Sequence, residues 1–116
     1  YRICRNNSII KIIVPHPRHD DFISDPTHVR PITILGLQLF DKDLNIKWEK
    51  NKAANTPLGL INGVNFRIKN VKYSLDQNYM KKYKDKTINN QEVDEDAARL
   101  NNVVKQMEID WQVIKD

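Results

Sequence analysis

The sequence predicts a mainly β, β-rich α+β fold: a small antiparallel β-sandwich or barrel-like sheet with one or two short helices in the C-terminal third. Three observations carry this. Across residues 32–49 two apolar runs alternate with polar residues on either side of Asp41-Lys42. Residues 8–14 form a β-branched run closed by Pro15. Near the end, Met107, Ile109, Trp111 and Val113 alternate with Glu108, Asp110 and Gln112. Period two of this kind marks a strand with one buried and one wet face.

The run 8–14 reads as a largely buried strand, ended by a proline that cannot donate to a ladder. Residues 15–31 are rich in proline and contain all three histidines of the chain. They read as a long loop with Phe22, Ile23 and Val29 as anchors. Residues 32–49 then read as the organising β-hairpin. With Asp41-Lys42 as the turn, Leu39 faces Leu44, Leu37 faces Ile46 and Leu35 faces Trp48, so that every large apolar side chain lies on one side.

After a polar connection over 51–57, Asn62-Gly63 between apolar residues is a hairpin signal, since both central residues of a type I′ turn need positive φ. In the strand that follows, Val64, Phe66 and Ile68 occupy even positions whereas Val71, Tyr73 and Leu75 occupy odd ones. A strand that keeps one face buried changes parity only by adding a residue, which predicts a β-bulge at Lys69-Asn70. Asp76 caps a short helix carrying Tyr79, Met80 and Tyr83. A Lys- and Asn-rich loop leads to a second helix starting at Asp94, whose acidic first turn suits the helix dipole. The tail 107–114 fits either periodicity, but a helix would strand Ile109 and Val113 off its apolar face, which favours a terminal strand.

A chain of 116 residues fits a single compact domain over 1–116, with a core that needs no disulfides. No apolar run approaches bilayer length, so the chain reads as soluble. It starts at Tyr1 without an initiator Met, which suggests a trimmed or processed form. Cys4 is the only cysteine, which excludes an internal disulfide and leaves the compartment open. The net charge of +4 conceals a division. Residues 47–86 are strongly basic and residues 92–116 acidic, so either end could meet a charged partner.

The only residues that invite metal chemistry are His16, His19, Asp21 and His28, because imidazole and carboxylate suit zinc and related ions. Their spacing matches no zinc motif and lies on no helix, so the expectation is neither metal nor cofactor. The serines lack a nucleophile-elbow context, and three glycines in the whole chain leave no phosphate loop or dinucleotide fingerprint. The expectation is no enzyme.

Lys47, Arg67, Lys69 and Lys72 should form the solvent face of the sheet. Phe66, Trp48 and Tyr73 fall on the opposite, buried parity, which removes the exposed aromatics a single-strand nucleic-acid binder needs. The remaining candidate is a partner-binding cluster of Tyr79, Met80, Lys81, Lys82, Tyr83 and Lys84, since aromatic and Met side chains anchor interfaces. The expected function is therefore non-catalytic protein binding. The composition suits a bacterial envelope, periplasmic or secreted accessory protein such as an immunity protein that neutralises a toxin. A basic nucleic-acid or anionic-surface binder is the second reading and a small metal-dependent enzyme the third.

Overall fold

The β-branched run after Ser8 forms the first strand, β1 (Ile9–Pro15), and the alternating tail forms the last, β3 (Val104–Val113). In the computed structural model, which describes residues 1–115, these pair with β2 (Phe66–Leu75) in one open antiparallel sheet of order β1-β3-β2. Six short helices complete the described residues: α1 (Asp20–Ile23), α2 (Ile34–Gln38), α3 (Lys42–Lys50), α4 (Leu58–Asn62), α5 (Gln77–Lys84) and α6 (Asn90–Arg99). With 36% helix and 23% strand, the fold is α+β around an open sheet, and the expected sandwich or barrel is corrected. Being central, β3 buries Val104, Met107, Ile109 and Val113 at no more than 1% exposure. As an edge strand β1 leaves Ile9 and Ile13 exposed, against the expectation that it is largely buried.

The largest correction concerns residues 32–49, which fold as α2 and α3 in place of a hairpin. Their helical choice is local. The Thr33 side chain accepts from the Gly36 N–H at the start of α2, and Asp41 accepts from the Asp43 and Leu44 N–H groups at the start of α3. Each side chain satisfies donors that a new helix leaves open. Asp43 in the first turn of α3 and Lys47 and Lys50 in its last also match the helix dipole. Leu35 and Ile46 are consequently exposed and Trp48 half-buried, so the face they were expected to share does not exist.

Asn62-Gly63 is reassigned as well. Gly63 has positive φ (65°), as the sequence required, but its N–H donates to Gly59 C=O and it ends α4 as a left-handed cap, the other common use of such a glycine. In β2 the change of parity goes with a change of core, since Phe66 and Leu75 pack into different clusters. No residue is added: Ile114 N–H donates to Asn65 C=O and Asp76 N–H to Val103 C=O, and both strands span the same number of residues between these bonds.

The chain divides into two units, one of Tyr1–Ile12, Thr33–Val71 and Ile109–Asp116, the other of Ile13–Ile32 and Lys72–Glu108. In the first, the Phe66 ring stacks on Trp111 with centroids 4.0 Å apart. Phe40 meets Trp111 and Tyr1 meets Phe66 edge-on, at 5.8 and 5.3 Å, both favoured aromatic geometries. The helices of this unit are joined by a buried amide. Asn45, 1% exposed, donates through Nδ2 to Leu39 C=O (3.0 Å) and accepts at Oδ1 from Leu60 N–H (3.2 Å). A Cβ at position 59 would lie 2.9 Å from both Asn45 Oδ1 and Phe40 C=O, so Gly59 is what admits this amide.

The neighbours Asn45 and Ile46 distinguish the two architectures. Asn45→Ala should destabilise by roughly 1 to 3 kcal/mol, since the Leu60 N–H loses its acceptor, the Leu39 C=O loses one of its two donors and a buried side chain is truncated. Ile46→Ala, at an exposed position of α3, should stay within about 0.5 kcal/mol. Urea unfolding of both variants checks this, and the reverse order would restore the hairpin.

Candidate functional site

The second unit holds the cluster Tyr79, Met80, Lys81, Lys82, Tyr83 and Lys84, all of it on α5. Asp76 places this helix. One of its oxygens, Oδ1, accepts from the Asn78 N–H (3.2 Å) as an N-cap, while Oδ2 accepts from His19 Nε2 (2.8 Å). Its own N–H donates to Val103 C=O on the approach to β3 (2.8 Å). The His19 ring is 6% exposed, and its Nδ1 accepts from the Asp21 N–H (3.0 Å), which assigns the proton to Nε2. Both imidazole nitrogens are thus committed to holding α1 and α5.

Beneath α5, Val93 of α6 packs with Val103 and Val104, and Leu75, Tyr79, Ile88 and Ala97 close around them. The helix α6 starts at Asn89, whose Oδ1 accepts from the Glu92 N–H (2.8 Å), and not at Asp94 as expected. Asp94, Glu95 and Asp96 therefore lie in its middle. From there Asp96 accepts from the Tyr79 hydroxyl (3.1 Å), and Lys82 Nζ lies 4.9 Å from the Tyr79 ring centroid, a cation–π distance. Burial, followed by the Asp96 carboxylate, raises the Tyr79 phenol above its ordinary pKa.

This divides the cluster. Tyr79 and, in part, Lys82 hold α5 down, whereas Met80 and Tyr83 stay exposed beside Lys81 and Lys84. Two depressions flank Met80. One, of about 600 Å³, is lined by Leu75, Gln77, Asn78, Met80, Lys81, Lys84 and Lys105. The other, of about 400 Å³, is lined by Tyr73, Leu75, Met80, Tyr83, Asn90, Val93 and Asp94. Against the reading that all sheet aromatics face inward, Tyr73 is 42% exposed. Of the expected basic face, Lys69 and Lys72 are exposed. Lys47 lies on α3, and Arg67 is half-buried, donating to Asp41 (3.3 Å) and to Asp43.

Of the four candidate metal ligands, His19 and Asp21 are in contact and His16 and His28 are engaged elsewhere. His16 accepts at Nδ1 from the Arg18 N–H and meets Tyr73 edge-on at 6.3 Å. His28 stacks on Phe22 (5.5 Å), and Asp21 gives its N–H to His19. Among the described residues no three His, Cys, Asp or Glu side chains gather as metal ligands. The loop anchors are corrected too: Ile23 and Val29 are 54% and 82% exposed, and Phe22 alone is half-buried. Sequence reasoning missed a cavity of about 370 Å³ shared by His16, Tyr73, Asp94, Ala97 and Ala98, whose polar members come from three separate segments. There burial, then Arg18 and His19, lowers the His16 pKa, and burial, then Asp94, raises that of Tyr73.

No family model, curated protein or solved structure matches this chain. Among the described residues no helix is long and apolar enough to cross a membrane. What the site offers chemically is set by its own geometry: an anchored helix with two exposed apolar side chains, two lysines, Lys81 and Lys84, without a carboxylate partner among the described residues, and cavities on either side.

The anchoring predicts an acid response. His19 and the Asn78 N–H hold the Asp76 carboxyl below its ordinary value of 3.8, the His19 hydrogen bond being the larger cause. Over that interval the unfolded chain binds more protons than the folded one, so the stabilisation is complete above about 3.8 and is lost as pH falls through the folded value. His16, lowered from 6.5, acts with the same sign at higher pH, its stabilisation declining as pH falls from 6.5 through the folded value. Asp76→Ala should cost about 1 to 3 kcal/mol at neutral pH, since cap and imidazole partner disappear together. It should also flatten the acid limb of stability below pH 4, while His16→Gln flattens only the limb below 6.5. Denaturant midpoints measured against pH test both.

Proposed function

We propose that the protein is a non-catalytic protein-binding domain and that α5 is its contact element. One observation carries this reading: Met80 and Tyr83 stand exposed on a helix whose N-terminus is fixed by Asp76, next to Lys81 and Lys84, for which no described carboxylate is a partner. Apolar anchors presented rigidly beside unpaired charge are the composition of a binding surface, in which ordered side chains lower the entropic cost of association. A toxin-neutralising immunity protein of a bacterial envelope or secreted setting is the narrower form of the proposal.

The test uses a partner captured by the immobilised full chain from its native host. Lys81→Glu, Lys82→Glu and Lys84→Glu together should slow association and weaken its salt dependence, because exposed charges steer encounter. Met80→Ala with Tyr83→Ala should hasten dissociation. Reversal of the exposed Glu92, Asp94 and Glu95 should neither slow association nor hasten dissociation; Asp96 is left intact because it holds Tyr79. Unchanged kinetics in both α5 variants, or turnover of a substrate by the isolated protein, would overturn the proposal.

A further inference from the structure

Resting on the reading of α5 as the contact element, we infer that the depression lined by Lys81, Lys84 and Lys105 is a receptor for an acidic, amphipathic segment of the protein partner, seating a carboxylate beside an apolar side chain. Its lining is of two kinds. Leu75 and Met80 supply apolar surface, and three lysines supply positive charge with no acid among the lining residues. Lys81 and Lys84 have no described carboxylate partner, whereas Lys105 approaches Asp21 at 3.9 Å and also acts on the Asp76 carboxylate through space. Gln77 and Asn78 add uncharged hydrogen-bonding side chains. A volume of about 600 Å³ lies within the range of small-ligand sites, which also combine apolar walls with a few polar groups. It accommodates a few side chains of a peptide.

The same residues select among anions. No arginine lines the depression, so the planar fork that grips phosphate in two places is missing, and lysine ammonium groups act as point charges. Polyanions meet a second obstacle. The neighbouring depression shares Leu75 and Met80 but carries Asp94, and Glu92 and Glu95 are exposed on the same helix, α6. A nucleic-acid backbone running past Met80 toward Tyr73 and Tyr83 would therefore leave lysine for carboxylate, and like charges there raise its energy. A segment with localised acidic residues and an apolar residue beside them gains from the lysines, covers Met80 and stops short of Asp94.

The probe is the fluorescein-labelled peptide Glu-Leu-Glu-Glu-Leu-Glu, followed by anisotropy on the full chain. Its Gln-for-Glu analogue, an oligothymidylate and inorganic phosphate as competitor serve as the other arms. The acidic peptide should bind, more weakly as salt rises, and Lys81→Glu with Lys84→Glu should weaken it about tenfold or more. Met80→Ala should weaken both salt conditions alike, since it removes an apolar contact. Thermal midpoints near wild type confirm that the exposed substitutions leave the fold intact. The inference is overturned by absent peptide binding, by equal binding of the Gln analogue or of the lysine variants, or by tighter binding of oligothymidylate or phosphate. If the α5 variants alter partner kinetics while the peptide does not bind, the binding function stands and this inference fails. If the peptide binds as described while partner kinetics ignore α5, the inference stands and the proposed function fails.

Discussion

The Asp76 carboxylate is the constraint on which the second unit depends. It caps α5, receives the proton of a buried imidazole, and its backbone N–H joins the residue preceding β3. Remove its charge and two segments lose a common point, the turn before α1 and the first turn of α5, while the backbone bond to Val103 remains. An imidazole at 6% exposure needs partners at both nitrogens, since an unpaired buried polar group costs a few kcal/mol. His19 finds them in Asp76 and in the Asp21 N–H, and this fixes its tautomer. His19, one of the four residues weighed as metal ligands in the sequence, is therefore engaged as a structural pin.

The first unit solves a similar problem with an amide. Asn45 occupies a place where a helix of this length would ordinarily put leucine, and it joins Leu39 to Leu60 through hydrogen bonds that no apolar side chain could make. Gly59 is bound to that choice, because any Cβ would collide with the amide oxygen. Asp41 repeats the theme by capping α3 and receiving Arg67. In short helices, which are marginal by themselves, such side-chain locks do what a longer apolar stripe would otherwise do.

These locks explain what was legible. The β3 strand could be read because Met107, Ile109 and Val113 enter the core at alternate positions of a central strand, where burial and periodicity coincide. Asp76 and α5 could be read because a cap is a local event. Residues 32–49 could not, because three leucines at alternate positions are too few to fix a period, whereas the deciding features were the polar residues: Thr33 and Asp41 as caps, Asn45 in the core. The parity change in β2 was visible but misattributed, since the rule that demands a bulge assumes a single core, and Phe66 and Leu75 belong to different ones. Of the α5 residues named from the sequence all but Tyr79 are exposed, while the exposed Gln77 and Asn78 were not named. The parts Tyr79 and Lys82 play in holding α5 depend on Asp96 and the Tyr79 ring, contacts of a folded pair of helices that no local pattern announces.

The same economy bears on function. The small clusters of the two units are supplemented by polar contacts, so His19, Asp76, Asp41, Arg67, Asn45 and Asp96 are each engaged in positioning an element. A side chain so engaged holds its element in place, and its removal disturbs the packing it maintains. Lys81 and Lys84 are free of such duty: they line a depression with apolar walls, and among the described residues neither has a carboxylate partner. Their mutual repulsion, modest in water, falls further when an acidic group enters between them, and in the proposed binding role this field on a fixed helix is what would favour an acidic partner.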